Sequence, residues 1–247
     1  DVRELEQDEV YFYLIDGETK EKIRLHDYDR IYSTPGLYEQ VVYDRLKCQS
    51  PETVVRVLER SIEQCGDRLS QRRVFDLGAG NGMVGEELKR KGVSRLVGID
   101  IIPEAREAVE RDRTGVYDAY YVADVSRLGE EERGELETWH FDTLVCVAAL
   151  GFGDIPPIAF LEAFNMISED GWIGFNIKET FLARSDESGF SHLIRELIFS
   201  EYMDLHYLEW YRHRFSIEGE PLHYYALAGK KNYDVPESFV ESLDLAV

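Results

Sequence analysis

From Arg73 to Lys178, short apolar runs alternate with helical stretches so evenly that few folds can accommodate the chain. The runs are "RVFDL" (73–77), "RLVGID" (95–100), "VYDAYYVADV" (116–125), "FDTLVCVAAL" (141–150) and "WIGFNIK" (172–178). Strands and helices in strict alternation bury both faces only as an open, mostly parallel sheet with helices on each side. "FDTLVCVAAL" is apolar almost throughout, as a strand covered on both faces should be. The stretch after "RVFDL" reads as a helix ending at Gly92, with Glu86 and Glu87 in its first turn and Lys89, Arg90 and Lys91 in its last. That polarity suits the helix dipole. Pro103 opens the next helix, and Asp154 is placed to cap one that starts at Pro156-Pro157.

Downstream, Phe190, Leu193, Ile194, Leu197 and Ile198 mark an amphipathic helix. "LHYLEWYRHR" and "LHYYALAGK" then read as two late strands paired around Gly219, which brings the sheet to seven. In the aromatic stripe Tyr202, Tyr207 and Trp210, core packing is the expected role. Upstream, two β-prone runs flank Asp16-Gly17, a dipeptide suited to a tight hairpin over residues 10–25. A tyrosine-rich segment follows, and Ser50-Pro51 supplies a cap and first-turn proline for a helix to Gln64. The expected organisation is therefore an N-terminal hairpin and tyrosine-rich cap (1–47), an α/β domain (48–231), and an acidic, aperiodic, flexible tail (232–247).

Charge narrows the function. The chain of 247 residues has 28 basic and 49 acidic residues, a net charge of −21. Nucleic acids and anionic membranes are repelled by such a field, so neither is an expected partner. Cys48, Cys65 and Cys146 form no C-x-x-C pair, so neither a zinc site nor a disulfide framework is indicated. No metal site is predicted. With no long apolar span and no signal peptide, the sequence reads as a reduced, cytoplasmic protein.

In "VFDLGAGNGMVGEELKR", Gly80, Gly82 and Gly85 satisfy G-x-G-x-x-G, the spacing of a dinucleotide-binding turn. Yet Asp76 precedes the glycines and Glu86-Glu87 follows them. A pyrophosphate there meets like charge, at roughly 4 kcal/mol per pair of unit charges 4 Å apart in an effective dielectric of about 20. No G-K-[ST] follows, so a P-loop is excluded as well. A cationic ligand fits better.

The ordered segments "VFDLGAGNG", "VGIDI", "VADV", "FDTLVCVAAL" and "ISEDGWIGFNI" resemble the class I S-adenosylmethionine-dependent methyltransferases over roughly the central half of the chain. The resemblance implies a doubly wound, Rossmann-like sheet with S-adenosylmethionine as cofactor. By position, it gives Asp76 the cofactor's ammonium, directly or through water, and Gly78, Ala79 and Gly80 its methionine portion. Asp100 takes both ribose hydroxyls, with Ile101 against the adenine. Asp124 takes the adenine amino group beside the Val125 backbone, and Val147 borders the methionine moiety. Each carboxylate also has a plain alternative as a loop or helix cap.

"YDRIYSTPGLY" resembles the Tyr-Asp lead-in that closes over the cofactor in many small-molecule methyltransferases, which brings in Tyr28 and Tyr32. Methyl transfer from a sulfonium needs alignment and exclusion of water, and a base only if the acceptor must lose a proton. Catalytic groups are therefore the least legible feature. The candidates are Lys178 and Glu179 at the open end of the fifth strand, where a surface ion pair is the alternative, and His213 in "WYRHRF", where a solvated edge-strand residue is. The [DN]-P-P-[YF] motif of enzymes that methylate nucleic-acid bases or glutamine is missing, since the matching place reads "CVAALGFGD". A small-molecule acceptor is expected first, and a protein second. A non-catalytic cofactor-binding or interaction module is the reading from another class, and a dehydrogenase is opposed by Asp76.

Overall fold

The computed structural model describes residues 9–151, 154–182, 189–236 and 239. Seven strands form one sheet in the order β5-β4-β3-β6-β7-β9-β8. They are β3 (Arg73–Leu77), β4 (Arg95–Asp100), β5 (Ala119–Val122), β6 (Thr143–Cys146), β7 (Trp172–Lys178), β8 (Met203–Phe215) and β9 (Pro221–Lys231). The pairs joining β3 through β7 are parallel, while β9 runs antiparallel between β7 and β8. The chain winds from β3 outward to β5, then returns to the other side of β3 as β6. The strand order therefore reverses between β3 and β6, which is where ligands bind in such sheets. The seven-stranded, doubly wound architecture expected from the sequence is present.

Strand periodicity sorts the side chains onto two faces. On one side Val74, Leu96, Val145 and Trp172 meet Val54, Leu58 and Ile62 of helix α2 (Ser50–Gln64) and Leu88 of α3 (Met83–Arg90). α2 lies close to the sheet because a Cβ at Gly174 would stand 3.1 Å from Leu58. On the other side Phe75, Leu144, Ile173 and Phe175 meet Phe160 and Phe164 of α6 (Pro157–Asn165) and Leu193 and Leu197 of α7 (Phe190–Phe199). Helices α4 (Pro103–Asp112) and α5 (Glu130–Glu137) complete the layers.

The N-terminal hairpin is β1 (Tyr11–Asp16) with β2 (Thr19–Arg24), and Gly17 takes the positive φ of its two-residue loop. Its Ile23 packs with Ile31 and Leu37 in a small core of its own. Helix α1 (Tyr28–Tyr32) and a π-helix at Glu39–Arg45 carry the chain to α2.

Four local expectations are corrected. Ser50 is the first residue of α2, not its cap, and its hydroxyl turns inward to Tyr211 and His213. Asp154 does not cap α6, which follows directly from the extended Pro156. Trp210 is 54% exposed because β8 is the sheet's edge, so it is no core residue. The segment after Lys231 is tied down at its start. Val235 is buried, and its backbone exchanges two 2.9 Å hydrogen bonds with the Asn165 side chain. Residues 237, 238 and 240–247 of the expected flexible tail lie outside the described residues. Among those described, no helix is long and apolar enough to cross a membrane.

Candidate active site

A cavity of 320 Å³ opens above the carboxyl ends of β3, β4 and β6. Its floor is the glycine turn. Gly78, Gly80 and Gly82 all have positive φ, which L side chains rarely adopt. A Cβ on Gly78 would reach within 2.7 Å of Ile155, and one on Gly80 within 2.7 Å of the Tyr32 hydroxyl. The turn is thus packed from both sides, and only glycine lets the backbone pass between them.

Asp100, at the end of β4, holds this turn to its neighbour. Oδ2 accepts from the Gly80 amide at 2.8 Å, and Oδ1 from the Ile102 amide at 3.0 Å. Burial pushes its carboxyl up against those stabilising amides. The loop-capping alternative is therefore real, but it does not exhaust Asp100. A carboxylate has about four lone-pair sites, two of which these amides use, and Asp100 also lines the cavity. Asp124 behaves alike. It caps a short 3₁₀ turn through the Ser126 amide at 3.0 Å and also lines the cavity, as do Ile101, Val125 and Val147.

Asp76 lies beneath the turn, 1% exposed. The Tyr117 hydroxyl donates to its Oδ2 at 2.7 Å, while Oδ1 is buried with no protein partner. Desolvation, opposed by the Tyr117 bond, lifts its carboxyl to about 7. Glu86 and Glu87 do not belong to this group. Glu86 pairs with Arg113 at 3.2 Å and Glu87 with Arg90, and neither lines the cavity. The carboxylates around the glycine turn that a cation can meet are therefore Asp76, Asp100 and Asp124.

Tyr117 escaped the sequence reading, although two glycines signal it. A Cβ at Gly85 would stand 2.5 Å from its ring, and one at Gly98 would stand 2.9 Å away. Both glycines clear space for one half-buried aromatic side chain.

The N-terminal cap forms the roof. Tyr28 and Tyr32 stack with ring centroids 5.8 Å apart and, with Tyr38 and Tyr43, line the cavity. Arg111 donates to the Tyr32 carbonyl at 3.1 Å, and Asn81 in the turn donates to Glu39 at 2.8 Å. The cap is thus bonded to both α4 and the glycine turn.

The candidate catalytic residues are dispersed. Glu179 is exposed and accepts from the Trp210 indole at 3.0 Å. Neither it nor Lys178 lines the cavity, although the Lys178 charge acts on His213. His213 is 5% exposed, so the solvated edge-strand alternative fails: the segment 46–49 bonds to the end of β8 and covers it. Its Nδ1 lies 2.5 Å from the Ser50 hydroxyl. Burial first, then the Arg214 and Lys178 charges, hold its imidazole well below the ordinary histidine range. Ser50, Tyr211 and Asn176 continue this buried network, and Asn176 accepts from the Ala148 amide at 2.6 Å. That bond holds Ala148 at a φ of +58° at the cavity edge.

A second, smaller chamber of 50 Å³ adjoins the cavity, sharing His26, Tyr28, Tyr38, Ala148 and Asp154 as walls. His26 and Asp154 face each other there, with Nδ1 3.4 Å from Oδ1. His213 and Arg214 line its far side.

A methyltransferase-domain family model matches residues 51–219, more than half of the chain. The chain belongs to the class I S-adenosylmethionine-dependent methyltransferases. No curated protein matches it in sequence. Among solved structures it is similar to the N-methyltransferase NodS of Bradyrhizobium japonicum WM9 in complex with S-adenosylhomocysteine. That match has a TM-score of 0.55 and 14% identity, covering 83% of this chain and 97% of that one. It is also similar to a putative RNA methyltransferase of Pyrococcus horikoshii (TM-score 0.54, 14% identity, 73% and 84% covered). A third is the magnesium protoporphyrin IX methyltransferase of Synechocystis PCC 6803 with bound S-adenosylmethionine (TM-score 0.51, 16% identity, 74% and 79% covered). At such identities the likeness is one of fold.

The methyltransferase's cofactor fits the residues present. S-adenosylmethionine offers hydrogen-bond donors and positive charge. The cavity answers with acceptor carboxylates at Asp100 and Asp124, and an unpartnered carboxylate oxygen at Asp76 lies below the turn.

Proposed function

We propose that this methyltransferase acts on a small-molecule acceptor bound where the cavity meets the adjoining chamber. The observation that carries this reading is the roof. Residues of the N-terminal cap, from His26 to Tyr43, line the side of the cavity away from the sheet. An acceptor must then fit a confined space, which suits a small molecule better than a duplex or a folded protein. The charge of −21 argues further against a polyanion.

In this reading Asp100 takes the ribose hydroxyls, Asp124 the adenine amino group, and the Gly78–Gly80 backbone the methionine portion. Asp76 supports the ammonium from below, and Tyr28 and Tyr32 exclude water. S-adenosylmethionine, when bound, supplies an electrophilic methyl carbon on a sulfur that leaves as a neutral thioether. His26 faces the acceptor and takes its proton at Nε2, while Nδ1 is oriented by Asp154. His213 acts through Ser50 and Asn176 as a positioning residue for Ala148. Lys178 and Glu179 take no part. The chain then divides into the cap (1–47) as a roof unit, the α/β domain (48–231) as the catalytic unit, and the acidic tail (232–247).

The test uses S-adenosylmethionine carrying a tritiated methyl group, mixed with a cell extract that is then separated by size. Label in the low-mass fraction, reduced at least tenfold by His26→Ala, supports the reading. Label confined to protein or RNA contradicts it.

A further inference from the structure

Arg214 stands apart from the chain's other deeply placed cations. Lys231 donates to the carbonyls ending α6 and to Asp234. Arg113 is clamped by Glu39 and Glu86. Arg214 is 6% exposed, yet its hydrogen bond is only to the adjacent Phe215 carbonyl, at 3.0 Å from Nη1. Among the described residues no carboxylate forms an ion pair with it. Among the described residues this buried guanidinium thus has no ion-pair partner, at the wall of a chamber that adjoins the active site and whose lining carboxylate, Asp154, faces His26 instead. Burying a charge is unfavourable unless it is paired.

We propose that Arg214 is the anchor for a carboxylate group on the methyl acceptor, which fixes the acceptor class as small carboxylic acids. This rests on the small-molecule reading above. A guanidinium fork matches a planar carboxylate with two parallel hydrogen bonds. The same chamber holds the hydroxyls of Tyr28 and Tyr38, which burial keeps protonated as neutral donors. It also holds Asp154, whose charge disfavours a dianionic phosphate more than a carboxylate. With its acid group on Arg214, the acceptor's remaining length extends past His26 toward the glycine turn.

The probes are acetate and inorganic phosphate, titrated at constant ionic strength into protein saturated with S-adenosylhomocysteine. The readout is the Arg214 Nε–H resonance in ¹⁵N-arginine-labelled protein, backed by competition on the unlabelled variants. Acetate should shift that resonance saturably, and more tightly than phosphate. Arg214→Met should weaken acetate at least tenfold while S-adenosylhomocysteine affinity stays within twofold. Its melting temperature should hold or rise, because an unpaired buried charge is removed. Arg214→Lys should retain part of the acetate affinity. No saturable acetate shift, equal acetate affinity in Arg214→Met, or tighter phosphate binding overturns the proposal. A lower melting temperature together with lost cofactor affinity does so too, by making Arg214 structural. Tritium label found on protein, with acetate binding intact, would overturn the small-molecule reading and with it the acceptor class, leaving Arg214 only as a carboxylate-binding group.

Discussion

The two ends of the ligand cavity are built by different means. The cofactor end comes from successive strand-to-helix junctions after β3, β4 and β5, where each functional group lies within a few residues of a strand end. The acceptor end draws on His26 from the N-terminal loop, Asp154 after β6, and His213 and Arg214 near the end of β8. The first is local chain geometry repeated three times. The second exists only when segments nearly two hundred residues apart have packed together. Substitutions at the cofactor end should therefore act on binding and on the turn. Those at the acceptor end should separate turnover from cofactor affinity.

The largest expected effect tests whether Asp76 belongs to the cofactor end. Its carboxyl is raised from 3.8 to about 7 in the folded protein. A group that binds its proton more tightly when folded stabilises fully below the unfolded value and loses that contribution as pH rises through the folded one. Between pH 4 and 7 the cofactor-free protein should thus lose up to about 1.4 kcal/mol per pH unit from this group alone. Urea melts of Asp76→Asn should lack that slope, and the variant should bind S-adenosylmethionine more weakly. A wild-type slope retained in the variant would remove Asp76 from the account.

Asp100→Ala comes next. Losing hydrogen bonds to a charged group typically removes about 1.5–3 kcal/mol, roughly ten- to a hundredfold in cofactor affinity by calorimetry. An unchanged affinity in the folded variant would return Asp100 to loop capping alone. Asn176→Leu leaves the Ala148 amide and the Ser50 and Tyr211 hydroxyls without their shared partner. A stability loss of about 1–3 kcal/mol is expected, with turnover falling more than cofactor affinity. The smallest effect belongs to Glu179→Gln, at the surface outside the cavity. Stability should stay within about 0.5 kcal/mol and turnover within twofold. A large turnover loss there would restore the strand-five candidates.

The contrast also accounts for what the sequence could show. Strand alternation and the glycine turn were legible because backbone geometry demands them at fixed spacing, whereas Asp76, Asp100 and Asp124 were singled out by the family resemblance. Tyr117 was signalled only indirectly, by Gly85 and Gly98, and meaning attaches to those glycines once the ring is seen between them. His213 and Trp210 were misjudged because burial on an edge strand depends on what covers it. The 46–49 segment covers the end of β8 and leaves its middle exposed. Glu86 and Glu87 looked like ligand-facing charge, but in the fold they pair with Arg113 and Arg90 and stay out of the cavity lining. His26 and Arg214 carried no motif at all. Tertiary packing alone brings them to the walls of one chamber.

The central claim is that these two ends meet at the methyl group. A crystal structure of the protein with S-adenosylhomocysteine tests it directly. The ribose hydroxyls should lie on Asp100, and the sulfur should face the chamber lined by His26, Asp154 and Arg214. A sulfur directed away from that chamber, toward Lys178 and Glu179, would contradict the account.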